Sequence, residues 1–395
     1  MNFLNDPIKV ISYWLVGLLT SIHASPELIN FILTFIGVII VASFGLIIVI
    51  FLIWLERKIA ARFQDRLGPN RAGPFGLLQT FADMIKLVTK EDIVPEKADH
   101  LTFNIAPVLS VVAVILIWAV VPFAPSWIGT DLNVGVLYIA AVGSFGILAI
   151  LMAGWSSNNK YALLGAFRAV AQLVSYEVPM LITLLIPVLL ARSMGLMQMV
   201  EQQSVWFIFI APIAGVVFLV SSIAEVGRTP FDLIEAESEI VAGYHTEYTG
   251  MKFGMFFAAE FLHAFTIGVL FAILFLGGWR GPGAEEFRLL GVVYLMLKGL
   301  LGYFIIMWVR STLPRIRIDQ MLALNWKFLT PVSLGLLVVT ALLEKAYGDT
   351  SLRVPALLAG NALVLLLGWF FLRASSRRQR RERKVFKGRT EAKPA

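Results

Sequence analysis

The sequence predicts an all-α polytopic membrane protein with about nine transmembrane helices, a surface amphipathic helix at the N-terminus and large cytoplasmic loops. Three observations predict it. Hydrophobic residues fill 58% of the 395 positions and charged residues only 15%, with a mean hydropathy of +0.80; ordinary soluble domains carry roughly 25% charge. The apolar stretches are about 20 residues each, the length at which a helix crosses ~30 Å of hydrocarbon, and lack the ~10-residue alternation of an outer-membrane barrel. Basic residues fall in every second connection, as the positive-inside rule requires of a multi-span chain.

Taken in order, residues 1–27 hold an apolar run, Ile11 to Leu19, too short to span. They read as an interfacial amphipathic segment, with a signal peptide as the alternative. Spans follow at about 28–55, 101–123, 133–154, 166–191, 205–225, 251–277, 287–309, 329–346 and 354–372. The organisation is therefore a membrane domain over 28–346 with eight spans and four inner loops, an additional span within 347–372, and a basic tail over 373–395. Of the 33 Lys and Arg, 26 lie in the connections 56–100, 155–168, 226–252 and 310–327 and in the tail. Those segments face the cytoplasm, with the N-terminus outside and the C-terminus inside. The +7 net charge then needs no nucleic acid; the tail is a topology anchor that meets anionic lipid.

Composition also excludes chemistry. With no Cys, the chain has no disulfide, thiolate zinc site, Cys-ligated cluster or Cys nucleophile. The four His are scattered, so no metal site is expected, and no glycine motif for a dinucleotide or ATP occurs. No internal repeat points to an inverted-repeat transporter.

The patterned sequence is in the inner connections. The first reads ERKIAARFQDRLGPNRAGPFGLLQTFADMIKLVTKEDIVP. A helix is expected after Pro74, with Gln79, Asp83, Lys86 and Lys90 on a polar face and Leu77, Leu78, Phe81, Met84, Ile85 and Val88 on an apolar one. Such a helix lies at a membrane surface, either as a lipid anchor or lining a ligand path. The third connection, EVGRTPFDLIEAESEIVAGYHTEY, holds six acids and one base, Arg228. Thr229, Pro230 and Asp232 read as N-cap, first helical residue and capping-box acid. Asp232, Glu235 and Glu239 then share a face, while Glu237 points elsewhere. A solvated acidic face is the plain alternative, yet crowded carboxylates beside a membrane raise one another's pKa values, the property a proton relay needs.

Charges also fall inside spans. Glu177 precedes Pro179, which should bend the helix beside it. Glu225 ends the fifth span, Glu260 and His263 share a face of the sixth, and Lys298 sits near the middle of the seventh. A charge in hydrocarbon costs at least ~2.5–3.5 kcal/mol, so these mark a proton or ion path, or structural pairs such as Glu260 with Lys298. In the fourth connection, Arg310, Arg315 and Arg317 serve either orientation or a site.

The first and third connections, together with SSNNKYALLGAFRAVAQLVSYEVP and RSTLPRIRIDQ, carry a family resemblance. From about residue 28 to about 346 the chain resembles the H-type membrane subunits of proton-pumping NADH:quinone oxidoreductase, respiratory complex I. The resemblance implies a subunit that is inactive alone and carries no redox centre or cofactor. It would form the membrane side of a quinone chamber, with NADH, FMN and iron–sulfur clusters held by partner subunits. Arg57, Arg66, Asp83, Arg310, Arg315 and Arg317 match positions around the quinone. Glu177, Glu225, Asp232, Glu235, Glu237, Glu239 and Glu260 match an acidic funnel leading from the chamber into the membrane. The implied partners are the peripheral iron–sulfur and quinone-site subunits, small membrane subunits, antiporter-like subunits, quinone and lipid, in a bacterial cytoplasmic membrane. Two rivals stay open: the equivalent subunit of a membrane-bound hydrogenase or formate hydrogenlyase, and a stand-alone ion-coupled transporter.

Overall fold

The computed structural model describes residues 6–21, 23, 25–234, 241–348, 350, 352–370 and 373. Among them every regular element is helical, and the single β-type pairing is an isolated bridge between Ala124 and Trp127. The helices are α1 (Pro7–Ser21), α2 (Pro26–Phe63), α3 (Gln79–Thr89), α4 (His100–Ile117), α5 (Gly135–Ser156), α6 (Lys160–Ala191) and α7 (Leu196–Gln202). They continue as α8 (Phe207–Ile210), α9 (Pro212–Val226), α10 (Gly250–Phe275), α11 (Arg288–Thr312), α12 (Ile318–Leu324), α13 (Thr330–Tyr347) and α14 (Arg353–Phe370).

Eight segments among the described residues are long and apolar enough to cross a membrane. The expected fifth span, 205–225, is instead broken. Pro212 has no N–H to continue a helix, and Ala211 leaves the helical region at φ −130° and ψ 63°, so the run divides into α8 and the 15-residue α9. The nine expected crossings are thus eight long helices and this interrupted one. The connection before it carries the short α7.

The first span runs well past its expected end at 55. The 38 residues of α2 extend ~57 Å, about twice the hydrocarbon thickness, so the ERKIAARF stretch is helix and not loop. Ser25 caps its start by accepting from the Leu28 N–H. The helix expected after Pro74 forms as a single turn at Pro74–Gly76 followed by α3. Its Phe81, Met84, Ile85 and Val88 are exposed, while Thr80 is buried and Gln79 and Asp83 are half-buried, so the polar side meets the rest of the chain.

The helix expected to begin at Thr229 does not form over the described residues. Residues 229–234 are turn and bend, because their backbone is claimed elsewhere. Pro230 O accepts from the Ile316 N–H at 3.0 Å, and Phe231 O accepts from Gln172 Nε2 at 2.7 Å. Among the described residues Asp232 pairs with Arg315 at 2.9 Å.

The core centres on α10, the most buried of the long helices, flanked by α2, α4, α9 and α11. Its tightest contact is with α11 through glycine: a Cβ on Gly268 would stand 2.5 Å from Gly299 O and 2.9 Å from Tyr303 N. Trp118 Nε1 donates to Thr266 Oγ1 at 2.8 Å across α4 and α10. Lys298 neither lies free in hydrocarbon nor pairs with Glu260. Its Nζ donates to the carbonyls of Leu276, Gly278 and Arg280, each at 2.8 Å, and lies 4.9 Å over the Trp206 ring. It caps the C-terminal end of α10, where a cation complements the helix dipole. Beside α11, Asp6 holds the entry to α1 through Arg288 and Trp127 Nε1.

Candidate functional site

The site grows from Glu56, a buried carboxylate on α2 at 7% exposure. An unpaired carboxylate there would cost several kcal/mol, so its neighbours must compensate. Tyr303 on α11 donates its hydroxyl to Oε2 at 3.1 Å, Arg310 on the same helix pairs with Oε1, and Arg228 Nη1 lies 3.5 Å from Oε1. Arg228 follows Gly227, whose φ of +76° ends α9 and turns the chain inward. Its guanidinium, 4% exposed, also places Nε 2.8 Å from Glu260 Oε1 on α10 and stacks 4.7 Å over the Phe261 ring. One arginine thus joins two carboxylates on different helices, in the fork geometry that suits guanidinium.

Two cavities flank this network. A cavity of about 620 Å³ opens where α2 meets α11, with Glu56, Arg57, Phe63, Gln64, Arg66, Met307 and Arg310 in its wall. A second, of about 90 Å³, lies among α4, α5, α6, α9 and α10 and is lined by Ser110, Glu225, Tyr244, Glu260 and His263 among apolar side chains. Glu56 belongs to the first and Glu260 to the second, with Arg228 bonded to both. Glu225 Oε2 is buried without a hydrogen-bond partner among the described residues, and Glu177 on α6 is near enough to act on Glu225 electrostatically.

The candidates from sequence separate accordingly. Arg57, Arg66 and Arg310 meet at the larger cavity. Asp83 stands one residue back, bonded to Arg57 at 2.5 Å and to Lys86 at 3.5 Å. Burial pushes its carboxyl up, but the bond to Arg57 and the Arg57 and Lys86 charges outweigh it and hold Asp83 below the usual carboxylate range. Arg315 and Asp232 form their own pair beside the Pro230–Ile316 contact, and Arg317 is exposed and lines neither cavity. Glu225 and Glu260 meet at the smaller cavity, with Glu177 behind them. Glu235, Glu237 and Glu239 lie outside the described residues. Among the described residues no three His, Asp or Glu side chains gather as metal ligands.

Three central residues escaped sequence reasoning. Glu56 opens the ERKIAARF stretch and reads there as a membrane boundary. Arg228 reads as the lone base of an acidic loop, and Tyr303 is hidden in an apolar run. A carboxylate at the end of a span, with a tyrosine and an arginine on one face of another span two turns apart, is the available signal.

Known proteins agree on what this chain resembles. The family model described as NADH dehydrogenase matches residues 36–341. The H-type subunit of NADH-quinone oxidoreductase from Dehalococcoides mccartyi strain CBDB1 is 51% identical over 303 residues, covering 77% of this chain and 84% of that protein. An H-type subunit of the Syntrophobacter fumaroxidans enzyme is 46% identical over 76% of this chain and 92% of its own length. One from Geobacter metallireducens is 47% identical over 73% and 90%. A match across the two cavities and the helices that build them, at these identities and over most of both chains, shows that this chain belongs to the family of H-type subunits of NADH-quinone oxidoreductase.

Proposed function

We propose that this chain forms the membrane side of the quinone chamber in a proton-translocating NADH:quinone oxidoreductase and couples quinone reduction to proton movement through buried carboxylates. The observation that carries the reading is the Glu56–Arg228–Glu260 bridge between a cavity large enough for a quinone headgroup and a smaller polar one deeper in the bundle. The larger cavity, lined by Glu56, Arg57, Arg66 and Arg310 with Phe63 and Met307, offers donors to a quinone oxygen and apolar contact to its ring. Arg315, Arg317 and Asp83 act behind them. Quinone is a substrate and not a resident cofactor; electrons come from clusters fed by NADH and FMN in partner subunits.

Reduction adds charge where water is scarce, so the field on Glu56 is strong. Arg228 cannot be deprotonated, but it can redistribute its bonds between Glu56 and Glu260. A weaker hold on Glu260 favours its protonated form, and the smaller cavity is roomy and polar enough for water to carry that proton toward Glu225 and Glu177. Asp232, Glu235, Glu237 and Glu239 extend the acidic route. Its far end meets small membrane and antiporter-like subunits, and its chamber end meets the peripheral iron–sulfur and quinone-site subunits. The placement of 26 of the 33 basic residues supports an orientation with the N-terminus outside and the tail on anionic lipid inside, and the bacterial relatives support a cytoplasmic membrane as its setting. In this reading α1 lies in the outer interface.

The test is Glu260→Gln in the whole complex, purified and reconstituted in vesicles. Turnover coupled to proton uptake should fall about tenfold or more, a barrier rise of at least ~1.4 kcal/mol. Wild-type quinone reduction together with wild-type proton uptake would remove Glu260 from the path.

A further inference from the structure

Pro179 lies inside α6, two residues after Glu177. Having no N–H, it leaves the carbonyl of Ser175 without its helical donor. That acceptor is taken up by another part of the chain: Asn325 Nδ2 donates to Ser175 O at 2.5 Å. The adjacent Tyr176 donates its hydroxyl to Met321 O at 2.9 Å. Asn325 and Tyr176 are both fully buried. Asn325 also opens the π-turn Asn325–Leu329 between α12 and α13, a wide turn that recurs at functional positions in helices. The carbonyl that Pro179 orphans in one helix is thus satisfied by the first residue of an irregular turn in the other, two positions from Glu177.

The same junction is tied to the chamber side. Arg317 is the residue before α12, and the segment leading to it is fastened by Arg315 to Asp232 at 2.9 Å and by the Ile316 N–H to Pro230 O at 3.0 Å. Phe231 packs its ring 5.2 Å from that of Tyr176. One turn earlier on α6, Gln172 Nε2 donates to Ala224 O and Phe231 O, each at 2.7 Å. A shift of the arginine segment is therefore delivered, first through the Arg315–Asp232 pair and then through the buried bonds of Gln172 and Asn325, to the turn of α6 that carries Glu177.

We infer that Asn325 is a positioning residue for Glu177: by capping the Ser175 carbonyl it holds the α6 backbone beside Glu177 and links the position of Glu177 to the 313–319 segment. The inference rests on the reading of Glu177 as part of the proton path. It is tested on the reconstituted complex with Asn325→Leu, Tyr176→Phe, Glu177→Gln and the Asn325→Leu/Glu177→Gln double variant. Asn325→Leu should lower kcat for quinone reduction and proton uptake about fivefold, in the range of a coupled pair of contacting residues, with KM for quinone unchanged. Tyr176→Phe should move kcat in the same direction by less. The double variant should be no slower than Glu177→Gln alone. If Glu177→Gln slows turnover but Asn325→Leu does not, or if the two losses multiply, the positioning role is wrong and the proton-path reading survives. If Glu177→Gln itself runs at the wild-type rate, that reading falls and the inference with it. Should Asn325→Leu fail to assemble, Tyr176→Phe removes a single hydroxyl and carries the same comparison with Glu177→Gln.

Discussion

Arg228 is the residue on which the site turns, because it alone among the described residues is bonded to both Glu56 and Glu260. Removing one member of a buried charge cluster costs about 3–5 kcal/mol through the charges left behind. Arg228→Leu should therefore prevent accumulation of the subunit, read as its loss from membranes and from the intact complex on native gels. Arg66→Ala, at the exposed rim of the larger cavity, should leave assembly intact and raise KM for quinone with little change in kcat. His245 makes a separate prediction. Burial against Tyr244 and Phe253 pushes its imidazole from 6.5 down to about 4. Its folded pKa is lowered, so the neutral ring is compatible with the fold above about 6.5, and stability falls as pH drops from 6.5 toward 4. Thermal unfolding across that window should show the slope, and His245→Leu should flatten it. Which charges matter was legible at this scale only in part. Glu260 and Glu225 stand out as acids in apolar runs, whereas Arg228 gains its meaning from partners 172 and 32 positions away, which no local pattern encodes.

At the scale of elements, hydropathy located the long helices and local chemistry misjudged their ends. The apolar run over 205–225 reads as one span, and only Pro212 marks its break. The Thr229-Pro230 start signal is strong locally but loses to Gln172 and the Ile316 N–H, which take the carbonyls of Phe231 and Pro230. Lys298 reads in mid-span as a path charge or a partner for Glu260, because three backbone carbonyls of a neighbouring segment cannot be read from sequence. Lys298→Met should strand those acceptors at about 1–3 kcal/mol for the loss of a buried partner, seen as a lower Tm of the purified complex with unchanged KM for quinone. Gly268→Leu should be worse. The α10–α11 contact has no space for a side chain, so the two helices, and with them Glu260 and Tyr303, would be forced apart.

Across the whole molecule, the two cavities and the bridge between them lie within residues 56–311, inside the span of 36–341 that the family shares. The additional helix α14 lies beyond it. It is fastened by Arg353, whose Nε stands 2.9 Å from Glu344 Oε2 and whose Nη2 donates to Leu190 O at 3.1 Å, and by Asn361, which donates to Ile210 O at 3.4 Å. A chain ended after Thr350 should still assemble and reduce quinone, with a lower Tm; loss of turnover in an assembled complex would show that α14 belongs to the working machinery. The dual duty of Glu56 has a last consequence. The same carboxylate lines the larger cavity and ties α2 to α11 and to the loop after α9, so an antagonist that grips it leans on something the bundle cannot exchange. Escape under selection by such a compound should appear at Phe63, Gln64 or Met307, whose side chains touch the cavity without holding helices together by charge, and not at Glu56 itself.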